Sequence, residues 1–373
     1  MNQPVRFPFL NAIRGLCILG VVAVHCFYSP DSAKSAWAKL YTSVTSSGWL
    51  GVPVFFVLSG FLISLPMFAH PLTFDWERYT IRRIIKIGPP FIIVVGILAL
   101  AELLFNGRSC GDTIVDVMAS LSTLAHFWSP WPPLNGAFWS LYVEIHFYLL
   151  LPILFLGIHR IVLKKRKDSV AIAGGVVIAL FLVVSLIFRI LDASCLGYLA
   201  DHESQRFALF PRSMDYFAWG MLFSLFYATK PDFKITSARL IGWMGGAGLM
   251  AVYALYAVAQ HFDFRQIPYW FILEVFHLLA PLCTFLCLFF CYEQTCSFPL
   301  FRSQVLGFMG VVSYEWYLIH GPVRAYLKPF TAQAEGNVFI YFWNTGAPLS
   351  LALSTVLFYF VSKPLLDLVH KKT

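Results

Sequence analysis

The sequence predicts an all-α, polytopic membrane helix bundle of about ten transmembrane helices, with both termini in the cytoplasm. Three observations predict it. Charged residues make up 12% of the chain, about half the share of a soluble domain, while 59% is hydrophobic and 17% aromatic. Apolar runs long enough to cross a bilayer recur from end to end. Lys and Arg gather at one set of helix ends, 17 against 9, with Arg14 left inside the membrane, as the positive-inside rule requires.

The elements follow in order. Residues 9–28, including NAIRGLCILGVVAVHCFY, are too long for a signal-peptide core and lack a basic start with a small-residue cleavage site, so they read as a retained first span. Residues 48–69 form the second. The third, 87–106, follows the basic stretch ERYTIRRIIKIGPP. TIVDVMASLSTLAHFW, Thr113 to Trp128, is apolar enough for an eleventh span, but that would put KKRK, Lys164 to Lys167, outside. It is therefore expected to be a re-entrant or interfacial helix. Residues 139–158, 170–190, 211–228, 238–258, 269–292, 303–327 and 338–361 complete the ten. Residues 1–373 read as a single integral membrane domain, and the net charge of +8 is assigned to cytoplasmic loops rather than to nucleic acid.

Ionisable groups inside spans are costly and mark function. Arg14 and His25 are eleven residues apart, which at about 100° per residue ends some 20° beyond three turns, so they share one face at two depths. Counting from helix ends places His25, Glu144 and His320 in the same outer third, where neutral His and ionised Glu suit proton transfer at a hydroxyl. Arg82, Arg83 and Lys86 lie on one helix flank near Arg14, and together they could hold a polyanion at the cytoplasmic mouth or simply be positive-inside charge. Trp139 and Ser140 of the fourth span, Tyr314 of the ninth and Ser59 of the second line the same track. A nucleophilic Ser59 would need a base at its own depth, so close packing at Ser59–Gly60 is the reading preferred. His146 projects to another face and reads as structural. Glu315 and His320 face different ways. Cys283, Cys287 and Cys291 form one helix stripe, which cannot close a tetrahedral site, so no metal is expected.

Arg14-x10-His25, GVPVFFVLSGFLI (Gly51 to Ile63), Arg83-x-x-Lys86 before Pro89, FWSLYVEIHFYLLLP (Phe138 to Pro152) and SYEWYLIHGP (Ser313 to Pro322) follow one another. In that order and spacing the chain resembles the acyltransferase family 3 membrane proteins, O-acetyltransferases of bacterial surface polysaccharides. The resemblance implicates Arg14, His25, Arg83 with Lys86, and Glu144 in function. Three departures stand out: Asn11 where Asp is frequent, Lys86 for the second Arg of the pair, and Ser362-Lys363-Pro364 for Glu-x-Pro. No SGNH hydrolase-like domain follows, so the stand-alone form is expected.

The expected function is transfer of a short acyl group, acetyl above all, from cytoplasmic acyl-CoA to a hydroxyl of an extracytoplasmic glycan or glycolipid at the bacterial cytoplasmic membrane. Acyl-CoA is a donor substrate, and no bound cofactor is expected. His25 would act as general base oriented by Glu144, or as a transient acyl carrier. A transporter or flippase of an anionic lipid-linked sugar would use the same polar track, and a lipid or secreted metabolite is the alternative acceptor.

Overall fold

The computed structural model describes residues 7–26, 43–71, 73–123, 134–162, 169–194, 210–259, 269–293, 295–331 and 346–371. Among them every regular element is helical. Helices α1 (Pro8–Cys26), α2 (Gly51–Ala69), α3 (Trp76–Phe105), α4 (Cys110–Leu121), α5 (Trp139–Val162), α6 (Ser169–Ser194) and α7 (Phe210–Thr229) come first. They are followed by α8 (Ile235–Ala259), α9 (Tyr269–Cys287), α10 (Gln304–Val311), α11 (Ser313–Thr331), α12 (Ala347–Leu357) and α13 (Lys363–Lys371). Eight helical segments among the described residues are long and apolar enough to cross a membrane. The protein is a multi-pass membrane protein.

Two of the ten expected spans take a different form. The seventh helix, α7, is 20 residues long, about 30 Å and enough to cross by length, but its first turns carry buried Arg212 and Asp215. Arg189 of α6 meets Asp215 with Nη2 3.0 and 3.2 Å from its two oxygens, and Ser185 donates to the Arg212 carbonyl at 2.8 Å. Pairing is what permits such charges in a bundle interior. The second difference is larger. Residues 303–327 are not one helix: the chain bends at Val312, where α10 ends and α11 begins. Ser303 caps α10 by accepting from Leu306 N at 3.3 Å, and the eight residues of α10 reach only about 12 Å.

The segment 113–128 lies, in its described part, mostly within the 12-residue α4, which at about 18 Å is shorter than a hydrocarbon core of about 30 Å. Residues 124–128 of that stretch, the KKRK run and residues 338–345 of the last expected span lie outside the described residues. The helix α3 starts eleven residues earlier than expected. Asp75 accepts from the Arg78 backbone N–H at 2.9 Å and Glu77 sits in the first turn, a strong start signal.

Glycine brings backbones into contact along two seams. A Cβ built on Gly60 of α2 would lie 2.3 Å from the Phe217 carbonyl oxygen, and one on Gly220 of α7 would lie 2.0 Å from that of Val57. A Cβ on Gly15 would lie 1.9 Å from the Leu306 oxygen, and one on Gly310 would lie 1.8 Å from that of Asn11. Small residues are how membrane helices gain packing where hydrophobic burial gives little. Around these seams Phe56, Phe61, Phe147, Phe217 and Phe223 form the buried centre.

Candidate active site

Two helices run from one polar group to the other. The first helix carries Arg14 and His25, about 16 Å apart along its axis. The other is α11. Its Tyr314 donates to the Ile87 carbonyl at 2.8 Å, next to Lys86, and Tyr317 shares a hydrogen bond with Ser140 at 2.7 Å. Trp316 joins Ile18, Val21 and Val22 of α1 in one buried cluster. At the far end His320 meets His25.

The histidine contact fixes a direction. His320 Nδ1 is 3.1 Å from the Trp316 carbonyl oxygen, which can only accept, so Nδ1 carries the proton. Neutral His320 then presents a bare Nε2, 2.8 Å from His25 Nδ1. His25 must donate from Nδ1, and its own Nε2 keeps the lone pair. The ring centroids are 4.9 Å apart and the planes differ by 29°, an edge-to-edge arrangement suited to that bond. His320 is fully buried and His25 half-buried. Arg324, one helical turn beyond His320, lies within electrostatic range of both rings, and the sequence argument had passed over it.

Glu144 belongs elsewhere. Its Oε1 accepts from the hydroxyls of Ser59 and Tyr148, and Lys86 is among the charges within its range. It is thus grouped with the basic residues rather than hydrogen-bonded to His25. The turn Gly136–Phe138 precedes Trp139, so counting from Trp139 understates the helical length ahead of Glu144. Ser59 therefore does have a carboxylate at its own depth.

Lys86 and, through Tyr148, Arg83 lie near that carboxylate. Arg83 lies over two rings, with its guanidinium carbon 5.6 Å from the Tyr79 centroid and 5.3 Å from that of Tyr148, and the Tyr79 hydroxyl donates to the Tyr148 carbonyl at 3.0 Å. Such cation–π seats hold a guanidinium without neutralising it. Arg14 lies 6.0 Å from the Phe55 ring. Lys86 lies within electrostatic range of Arg14, Arg83, Glu144 and Glu315, whereas Arg82 faces Arg78, Arg83 and Asp75. Trp139 reaches the region through Phe56, ring to ring at 6.5 Å. His146 packs beside Phe210 at 5.8 Å. Among the described residues no group of three or more His, Cys, Asp or Glu side chains could hold a metal.

The comparisons with known proteins agree on the chemistry class. The acyltransferase domain family matches residues 7–363. The chain is 21% identical to a protein named "Putative O-acetyltransferase" of Staphylococcus aureus (strain COL), over 96% of this chain and 57% of the relative. It is 23% identical to "Putative peptidoglycan O-acetyltransferase YrhL" of Bacillus subtilis (strain 168), over 96% of this chain and 54% of that one. With O-acetyltransferase OatA of Staphylococcus aureus (strain NCTC 8325 / PS 47) identity is 22%, over 91% of this chain and 54% of the relative. The chain thus spans about half the length of the curated relatives it matches. No solved structure matches it. With a match that runs from the first described residue to the start of the last helix, the chain belongs to the membrane acyltransferase family 3.

Proposed function

We propose that the protein transfers a short acyl group, acetyl in the simplest case, from acyl-CoA on the cytoplasmic side to a hydroxyl of a cell-surface glycan. The observation that carries the reading is the 2.8 Å contact between His25 Nδ1 and His320 Nε2; with the proton on His25 Nδ1, its Nε2 is left as an unprotonated base within a helix bundle. The names of the relatives supply the acceptor class.

In this scheme the phosphates of the donor are held by Arg14, Arg83 and Lys86, with Arg82 at the edge, because guanidinium and ammonium groups grip phosphate oxygens. The pantetheine arm then runs along α1 toward His25. His25 Nε2 takes the proton of the acceptor hydroxyl as its oxygen attacks the thioester carbonyl. Charge on the imidazolium is shared through Nδ1–H with His320, much as a second partner orients the base in hydrolytic triads. The C–O bond forms, the C–S bond breaks, and the proton returns to the departing thiolate. Products are the ester and free CoA. Glu144, with Ser59 and Tyr148, serves the donor end by facing Lys86.

The test uses the purified protein in lipid nanodiscs with labelled acetyl-CoA and a glycan fragment. Release of CoA matched by label in an alkali-labile ester on the glycan is the expected result. Movement of glycan across the bilayer without thiol release would instead establish a transporter and overturn the assignment.

A further inference from the structure

One buried carboxylate has no part in the scheme above. Glu315 lies in the first turn of α11 and is 3% exposed. Ser362, itself 1% exposed, closes the π-turn Phe358–Ser362 between α12 and α13. Its hydroxyl donates to Glu315 Oε1 at 2.5 Å. Lys86 and Arg14 lie within electrostatic range of the carboxylate. A carboxylate and an ammonium group deep in a bundle each carry a desolvation penalty of several kcal/mol, which mutual proximity offsets. π-turns are frequent at functional sites, and this one ends at Ser362, whose side chain meets Glu315. The two side chains touch, so a carboxylate can occupy the same spot from either helix.

We propose that Glu315 is a positioning residue for the donor: held by Ser362, its charge fixes Arg14 and Lys86 in the phosphate-gripping arrangement. The inference rests on the reading of these bases as the acyl-CoA site. It predicts that the charge matters and the helix carrying it does not.

Acetyl-CoA binding to the purified protein in detergent, measured by calorimetry, tests this with wild type, Glu315→Gln, Glu315→Ser, and Glu315→Ser combined with Ser362→Glu. Either single variant should weaken binding about thirtyfold or more, as expected when a buried charge loses its partner. At saturating donor, turnover should fall no more than about threefold, since the interaction serves binding rather than the transition state. The exchanged pair should recover affinity to within about fivefold of wild type, a rescue that a mere packing role would not give. Glu315→Gln keeps the shape and a hydrogen bond to Ser362, so it carries the test if Glu315→Ser fails to accumulate. Wild-type affinity in Glu315→Gln would overturn the inference while leaving the donor site intact, and so would an exchanged pair no better than Glu315→Ser. A wild-type protein that binds no acetyl-CoA would overturn both.

Discussion

His25 and His320 stand 295 residues apart in the chain, and their ring nitrogens lie 2.8 Å apart in space. Because the Trp316 carbonyl anchors the far nitrogen of His320, the pair has one direction, and the two rings are not interchangeable. His25→Ala is expected to abolish acyl transfer with insertion and abundance unchanged. His320→Ala should lower kcat by about 10²-fold, the lower range for general acid–base assistance, with acetyl-CoA affinity unaltered. His320→Gln, whose amide oxygen can still accept from His25, should retain more activity than His320→Ala. Equal losses in the two would show that acceptance from His25 Nδ1 is immaterial.

Neutralising Arg83 and Lys86 together should weaken acetyl-CoA binding, and what remains should depend less on salt, because phosphate contacts are lost. Titration at two ionic strengths measures both. Unchanged affinity and salt response would return these residues to the general positive-inside charge of the protein.

Ser59 donates to Glu144, a geometry shared by a supporting hydroxyl and by a nucleophile beside its base. On the present scheme Ser59→Ala lowers transfer by about tenfold, the low end for one hydrogen bond to a charged group. Mass spectrometry of the protein quenched during turnover should show no acyl group on Ser59. A trapped acyl-serine would move the chemistry from His25 to this site.

Gly220 meets the backbone of α2 with no space for a methyl group. Gly220→Ala should therefore destabilise the bundle by about 1–3 kcal/mol, the usual cost of overpacking, read as a lower unfolding midpoint in detergent. Gly96, around which nothing lies within 4 Å, is the control: Gly96→Ala should leave the midpoint unchanged or slightly raised through helix propensity.

Sidedness is testable through Cys110, an exposed free thiol at the start of α4. With the amino terminus in the cytoplasm, an impermeant thiol reagent added to intact cells should label it. Labelling only after the cells are opened would invert the protein and place the basic residues away from the CoA pool.

Most helices were legible because each is an apolar run bounded by charge or loop residues, and hydrocarbon tolerates little else. The Arg14–His25 face was legible for the same reason, since helical periodicity alone aligns them. Depth was harder. Counting from Trp139 puts Glu144 near His25, whereas its carboxylate meets Ser59 of α2 and Tyr148 one turn along its own helix. The break at Val312 was hidden because α10 and α11 together have the length and apolarity of one span. The pairing of Arg189 with Asp215, and of Ser362 with Glu315, joins different helices, and no spacing within one helix encodes it. Arg324 lies one turn past His320, and no spacing in the sequence ties it to His25 of another helix.

The glycine seats have a consequence for how an acyl group could cross. Where one backbone rests on another with no side chain between, neither helix can rotate or slide without collision. Gly15 and Gly310 lock α1 to α10, and Gly48, just ahead of α2, rests on the Gly20 carbonyl at the same standard of closeness. The first helix is thus clamped on two flanks, from Asn11 to Gly20. A rocking machine needs its central post to swing. Here the close seats resist that swing, so under the proposed transfer the acyl group would pass along the post rather than be carried by it.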